Sequence, residues 1–262
     1  MNKVIHGNCI DVMATFPDNY IDLTVTSPPY DNLRDYNGYD FDFEGIAKQL
    51  YRITKDGGVV VWVVGDATIR GSETGTSFRQ ALYFKDIGFN LHDTMIWDKG
   101  LFTATGALVV RYAPVFEYMF ILVKGVLSTF NPIKDKPNKK SGKDLSGSTV
   151  RQRDGSTKPC SNPNHIIPEY GQRHNVWTIP PEQRRNLNYT HPAAFSEQIA
   201  NDHIISWSNE NDLVLDPMCG SGTTCTMAMI NNRKYIGIDI SEEYCEIARK
   251  RIAEHEQQLS IV

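Results

Sequence analysis

The chain has 262 residues, 40% of them hydrophobic and 22% charged, which suits one sizeable core and is too little for two generous ones. No run of about 18 apolar residues occurs, so no membrane span is expected, and the opening MNKVIHGNCIDVM lacks the long apolar stretch of a secretion signal. The formal charge of −4 on its own argues against a nucleic-acid binder, yet Lys124 to Cys160 carries seven lysines, two arginines and three aspartates, a net +6, the footprint of either a localised polyanion contact or a solvated, disordered loop.

From the N-terminus, KVIHG reads as a strand, CIDVMATF as a short amphipathic helix and YIDLTVTS as a second strand. That strand runs into Ser27-Pro28-Pro29-Tyr30, where two prolines without N–H donors cannot continue a ladder. A polar, tyrosine-rich loop follows. EGIAKQLYRITK is expected to be a helix with Ile46, Ala47, Leu50 and Ile53 on one face, ended by the DGG at 56–58. VVVWVVG has the continuous β-branched run of a central parallel strand. SFRQALYFKDIG reads as a helix with Gly88 past its end, and FNLHDTMIWDK and APVFEYMFILVKG as two more strands.

Composition then changes. From Val126 to about Glu169 the chain is rich in Lys, Ser, Gly, Pro and Asn with almost no periodic apolar signal; a partly irregular insertion of that length is usually functional or disordered. Regular patterning resumes with the amphipathic HPAAFSEQIANDHIISWS, the strand DLVLD, the loop PMCGSG, the helix TTCTMAMINN, the strand KYIGIDI and a last helix, SEEYCEIARKRIAEHEQQ. Alternating strands and helices imply one α/β domain over 1–262, with helices on both faces of a doubly wound, mostly parallel sheet. The five cysteines are odd in number and scattered, as in reduced thiols of a cytoplasmic protein. Cys160 and His165 are too few for a tetrahedral metal site, and no metal is expected.

The strongest local signal is LVLDPMCGSGTT. Asp216 closes a strand, Gly220 and Gly222 let backbone approach a ligand, and Thr223 and Thr224 open a helix whose free N–H groups they can cap. The next strand ends in Asp239, where an acid can accept two hydrogen bonds from ribose hydroxyls. The loop has no P-loop lysine and is not G-x-G-x-x-G, which favours a nucleoside without a pyrophosphate.

DPMCGSGTT followed by YIGIDI resembles the S-adenosylmethionine site of amino-group DNA methyltransferases, whose fold is a seven-stranded Rossmann-like sheet. The resemblance implies that Asp216, Pro217, Met218, Cys219, Gly220, Ser221, Gly222, Thr223 and Thr224 lie under the methionine part of that cofactor, and that Asp239 and Ile240 hold its nucleoside. THPAAFSEQIA resembles the cofactor-proximal helix start of the family, with His191 and Phe195 at its contact positions and Ser196 where proline is common. HGNCIDVM resembles the family's Gly-Asp segment with Asn8 in place of the acid.

An exocyclic amine is a poor nucleophile because its lone pair is delocalised into the ring. Acceptors held rigidly at a strand end help by turning that nitrogen towards tetrahedral geometry: Ser27 Oγ and the Pro28 carbonyl can accept from the amine, with Pro28 and Pro29 fixing φ. Tyr30 offers a face for a base flipped out of the duplex, and positioning with electrostatics supplies the rate without a covalent intermediate. A cytosine-C5 mechanism would need a nucleophilic cysteine in a Pro-Cys setting, and the only such pair, Pro159-Cys160, lies in the irregular segment.

Motif order, with SPPY ahead of the cofactor loop and the basic segment between, resembles the β group of these enzymes. Ser27, rather than Asp or Asn, leans towards cytosine N4, with adenine N6 as the alternative; an RNA or small-molecule methyltransferase is a more distant one. The implied partner is double-stranded DNA, with a cognate restriction endonuclease as a further candidate and a monomer or homodimer as the assembly. Target recognition is expected from 125–175, with Lys134, Lys136, Lys139 and Lys140 on phosphates and Arg151, Gln152 and Arg153 on base edges.

Overall fold

The computed structural model describes residues 2–29, 41–100, 110–159, 166–181 and 196–259. In chain order the elements are β1 (Lys3–His6), α1 (Cys9–Ala14), β2 (Ile21–Thr26), α2 (Phe43–Ile53), β3 (Thr54–Val64), a small hairpin of β4 (Thr68–Ile69) and β5 (Ser72–Glu73), α3 (Thr76–Asp86), β6 (Phe89–Asp98) and β7 (Phe116–Lys124). Then follow β8 (Lys136–Pro137), β9 (Thr149–Arg151), β10 (Thr157–Pro159), β11 (Tyr170–Gly171), β12 (Val176–Thr178), α4 (Glu197–Trp207), β13 (Leu213–Asp216), α5 (Thr223–Ile230), β14 (Lys234–Asp239) and α6 (Glu242–Leu259).

Residues 1–131 and 175–262 form one compact unit, and Pro132–His174 a second. The first holds a sheet in the order β1-β14-β13-β2-β3-β7-β6-β12. β7 is antiparallel to both its neighbours, and every other pairing is parallel. Leu23, Val25, Val59 and Val61 pack with Ile199 of α4, Ala228 of α5 and Ala248 and Ile252 of α6. Val60, Trp62 and Val64 pack with Met13 of α1, Leu50 of α2 and Phe84 of α3. Both faces of β3 are thus covered, as its unbroken apolar run requires.

Two expectations are corrected. The sheet has eight strands among the described residues, not seven: Val176–Thr178 adds a parallel edge strand in which Trp177 stands opposite Trp97, both buried, and three residues are too few to show periodicity. The DGG does not end α2 but lies inside β3. α2 stops at Ile53 and the strand starts at Thr54, whose hydroxyl donates to the Leu50 carbonyl at 2.6 Å. Partner register then jumps between Ile21↔Thr54 and Leu23↔Val59, so the glycines form a bulge. Gly57 has φ +82, and a Cβ on Gly58 would lie 2.9 Å from the Asp22 carbonyl.

From β2 the chain winds one way to β3 and beyond, while β13 on its other side leads to β14 and β1's edge. Strand order therefore reverses between β2 and β13, and the crevice outside their carboxyl ends is where a doubly wound sheet binds ligands.

Candidate active site

Ser27-Pro28-Pro29 continue directly from the carboxyl end of β2, with Pro28 buried and its two neighbours half-buried. β2 pairs β13 there, through Leu23↔Val214 and Thr24↔Leu215, so the proline motif and the glycine loop leave adjacent strands at the same end. A buried hydrogen bond joins them: the Thr26 hydroxyl donates to Asp216 Oδ1 at 2.8 Å. The Thr224 hydroxyl donates to the Val25 carbonyl at 3.2 Å. Asp216 also accepts from the Met218 amide at 3.2 Å. Its burial pushes the carboxyl up to about 6, while the hydrogen bonds from Thr26 and Met218 pull the other way.

The loop is held by backbone. The Cys219 amide donates to the Ile238 carbonyl at 2.8 Å, and the Gly222 amide to the Cys219 carbonyl at 2.7 Å. Gly220 and Gly222 take φ of +48 and +80, a region costly for other residues. A Cβ on Gly222 would sit 2.8 Å from Ala248 Cβ, so α6 leaves no room for one. The expected capping by Thr223 and Thr224 does not occur: Gly222 is the N-cap of α5 without a side-chain bond. The Thr224 hydroxyl is drawn to β2, and that of Thr223 accepts from Arg251.

Asp239 ends β14 and accepts the Gly220 amide on Oδ2 at 2.8 Å and the Ser241 amide on Oδ1 at 2.9 Å. A carboxylate has about four acceptor sites, so a ribose diol would share it with the loop it anchors. Asn8 follows β1, whose His6 stands opposite Asp239. Its Oδ1 caps α1 by accepting the Ile10 amide at 2.8 Å, which leaves its amide N–H groups for a ligand. The Ile240 carbonyl is bonded to the His6 ring at 3.0 Å. Cys219 and Cys225 are buried thiols whose sulfurs lie 2.9 and 2.7 Å from where a Gly237 Cβ would stand. Tyr30, His191 and Phe195 lie outside the described residues, as do Cys160 and His165.

Three residues of this framework were not foreseen: Thr26, Arg251 and Glu197. Arg251 Nη1 donates to the Ser221 carbonyl (3.3 Å), Ser221 Oγ (3.2 Å) and Thr223 Oγ1 (3.0 Å), while Nη2 pairs with Glu197 at 2.5 Å. The signal was the last cation of Arg249-Lys250-Arg251 standing beside the buried stripe of Cys245, Ala248 and Ile252.

The second unit contains one small hairpin, β9 with β10, and a second antiparallel pair, β8 with β11, whose strands are far apart in sequence, rather than irregular chain alone. Arg151 ends β9, and Gln152 to Gly155 form the tip, closed by the Gln152 amide on the Ser156 carbonyl at 2.7 Å. Lys134, Lys136, Lys139, Lys140, Arg151 and Arg153 are exposed and Gln152 half-buried. Lys136 Nζ lies 2.6 Å from His174 Nε2, and Arg173 is ion-paired with Asp135.

The crevice suits a nucleoside: an acid at a strand end, a loop at positive φ, and no bulk from side chains at the two glycines. Ser196 Oγ, at the start of α4, is buried without a hydrogen-bond partner among the described residues, and an orphaned hydroxyl of that kind costs about 1–3 kcal/mol unless something meets it. No helix among the described residues is long and apolar enough to cross a membrane, and no three described His, Cys, Asp or Glu side chains gather as a metal would need.

Residues 21–250 match the DNA methylase family of the N6/N4 type. The orphan methyltransferase M.BamHII of Bacillus amyloliquefaciens is 54% identical over 240 residues, covering 90% of this chain and 89% of that protein. The type II methyltransferase M.BglII of Bacillus subtilis is 27% identical over 267 residues, covering 95% and 68%. Among solved structures, the cytosine-N4-specific PvuII DNA methyltransferase superposes with a TM-score of 0.67 at 19% identity over 94% of this chain and 84% of that one. M1.HpyAVI bound to S-adenosylmethionine does so at 0.65 and 19% over 95% and 98%; both show the fold. The chain belongs to the N6/N4 family of S-adenosylmethionine-dependent, amino-group DNA methyltransferases.

Proposed function

We propose that the chain methylates the N4 amine of cytosine within a specific duplex DNA sequence. The observation that carries this reading is Ser27 at the carboxyl end of β2, in the strand that Thr26 ties to the cofactor loop. A short neutral hydroxyl there, with the Pro28 carbonyl, suits an amine that must be oriented rather than deprotonated in advance. When bound, S-adenosylmethionine supplies an activated methyl on a sulfonium. Ser27 Oγ and the Pro28 carbonyl accept from the amine and turn its lone pair outward, Pro29 holds the turn, and Tyr30 stacks on the flipped base. Asp239 takes the ribose, Asn8 and Ile240 border the nucleoside, and the 216–224 loop with His191 and Phe195 takes the methionine part.

Lys134, Lys136, Lys139 and Lys140 hold phosphates, and the β9–β10 tip with Arg151, Gln152 and Arg153 reads base edges in the major groove. We place the enzyme in the setting of restriction-modification, with a cognate endonuclease or, like the relative named an orphan methyltransferase, without one. The test is Ser27→Ala: turnover on DNA should fall by about 100-fold or more, as for lost preorganised hydrogen-bonding groups, with cofactor affinity unchanged. Unaltered turnover would remove Ser27 from the chemistry.

A further inference from the structure

The C-terminal helix places a guanidinium where an apolar side chain would otherwise belong. Arg251 is 4% exposed, and both Ala248, one turn before it, and Ile252, the next residue, are core residues. Burying a cation is costly, and a well-packed apolar residue of similar volume often serves stability as well or better. What the planar fork of an arginine adds is the ability to hold several oxygens in one fixed geometry. Here the fork meets the Ser221 carbonyl, the Ser221 and Thr223 hydroxyls and the Glu197 carboxylate.

These hydrogen bonds join two separate pieces of the cofactor crevice. Ser221 and Thr223 belong to the glycine loop and the start of α5, and Glu197 is the first residue of α4, next to Ser196. The loop is pinned from both sides: its Ser221 carbonyl turns to α6, while the Gly222 amide of the same peptide bonds the Cys219 carbonyl. Two glycines at positive φ give that loop unusual freedom, so an external clamp has something to restrain.

We infer that Arg251, set by Glu197, is a positioning residue that holds the glycine loop and the start of α4 in register for the methionine part of the cofactor. The inference rests on the assignment of that loop to the cofactor. It concerns ligand affinity by parts, because the adenosine end is held from Asp239 on the other side of the loop.

The experiment uses calorimetry on the full chain without DNA, with S-adenosylmethionine and with 5′-methylthioadenosine, which lacks the amino-acid tail. Arg251→Met should weaken S-adenosylmethionine by about tenfold, the loss of one or more charge-assisted hydrogen bonds, and leave 5′-methylthioadenosine within about twofold. Arg251→Lys should recover part of the loss by restoring the pair with Glu197, and Glu197→Gln should fall between wild type and Arg251→Met. Should Arg251→Met fail to fold, the other two variants carry the test. Equal weakening of both ligands, or no weakening of either, overturns the role. Asp239→Asn is the control: if it too leaves both ligands untouched, it is the crevice assignment that has failed, whereas loss with Asp239→Asn and none with the Arg251 and Glu197 variants rejects the clamp alone.

Discussion

Thr26→Val tests the link between the proline motif and the glycine loop. Valine keeps the shape of threonine and removes the hydroxyl that donates to Asp216 Oδ1 at 2.8 Å. Both residues are buried, Thr26 at 0% and Asp216 at 5% exposure, so water cannot replace the missing donor. A hydrogen bond to a charged group contributes about 1.5–3 kcal/mol, and each 1.4 kcal/mol or so moves a pKa by about one unit. Burial already holds Asp216 at about 6. Without Thr26 its acid should move up by one unit or more, into the neutral range. The assay is thermal unfolding and turnover from pH 5 to pH 8.5, with Thr26→Ser as the control that keeps the hydroxyl. Destabilisation by Thr26→Val should be largest at pH 8, where the carboxylate is ionised, and smaller at pH 5, where it is protonated. Turnover should fall because Ser27 is the next residue. A Thr26→Val enzyme that matches wild type in both profiles would refute the link.

Other consequences follow from the same geometry. Asp216 has a folded pKa raised above the ordinary 3.8, so its stabilising contribution is full below that value and is lost as pH rises through about 6; Asp216→Asn should flatten unfolding free energy between pH 4 and pH 7, by up to about 3 kcal/mol, and a slope equal to wild type would contradict the assignment. Gly222→Ala must place a Cβ 2.8 Å from Ala248 Cβ at φ +80, and should cost about 1–3 kcal/mol in denaturant titrations with weaker S-adenosylmethionine binding. Changing Lys134, Lys136, Lys139 and Lys140 to Gln should lower the salt dependence of duplex binding by about 0.9 for each phosphate no longer neutralised, with cofactor affinity intact; an unchanged salt slope would take these lysines off the DNA.

The long strands were readable because a run such as VVVWVV, buried on both faces, has no other role to play in a chain of this kind. What escaped was short or long-range. β12 has three residues, and the second unit's strands have two or three each, below the length at which alternation shows. The DGG looked like a stop, because two glycines end helices as well as they make bulges, and only pairing with β2 decides which.

The motif residues at strand ends were visible as motifs, but their connections were not. Thr26 and Asp216 are 190 residues apart, and Arg251 reaches back to Ser221 and Thr223 across a strand and a helix. Thr223 and Thr224 show the reverse error, since local capping logic was right for the residue type and lost to partners offered by β2 and α6.

In the proposed reaction Ser27-Pro28-Pro29-Tyr30 presents cytosine N4 to the methyl donor. The direct measurement is to methylate duplex DNA with the purified enzyme, digest it to nucleosides and weigh the modified base, with RNA and polymer-free reactions alongside. N4-methylcytosine from duplex DNA, and nothing from the other reactions, is the expected result. N6-methyladenine would contradict the choice of base, and methylation of RNA or of no polymer at all would contradict the substrate.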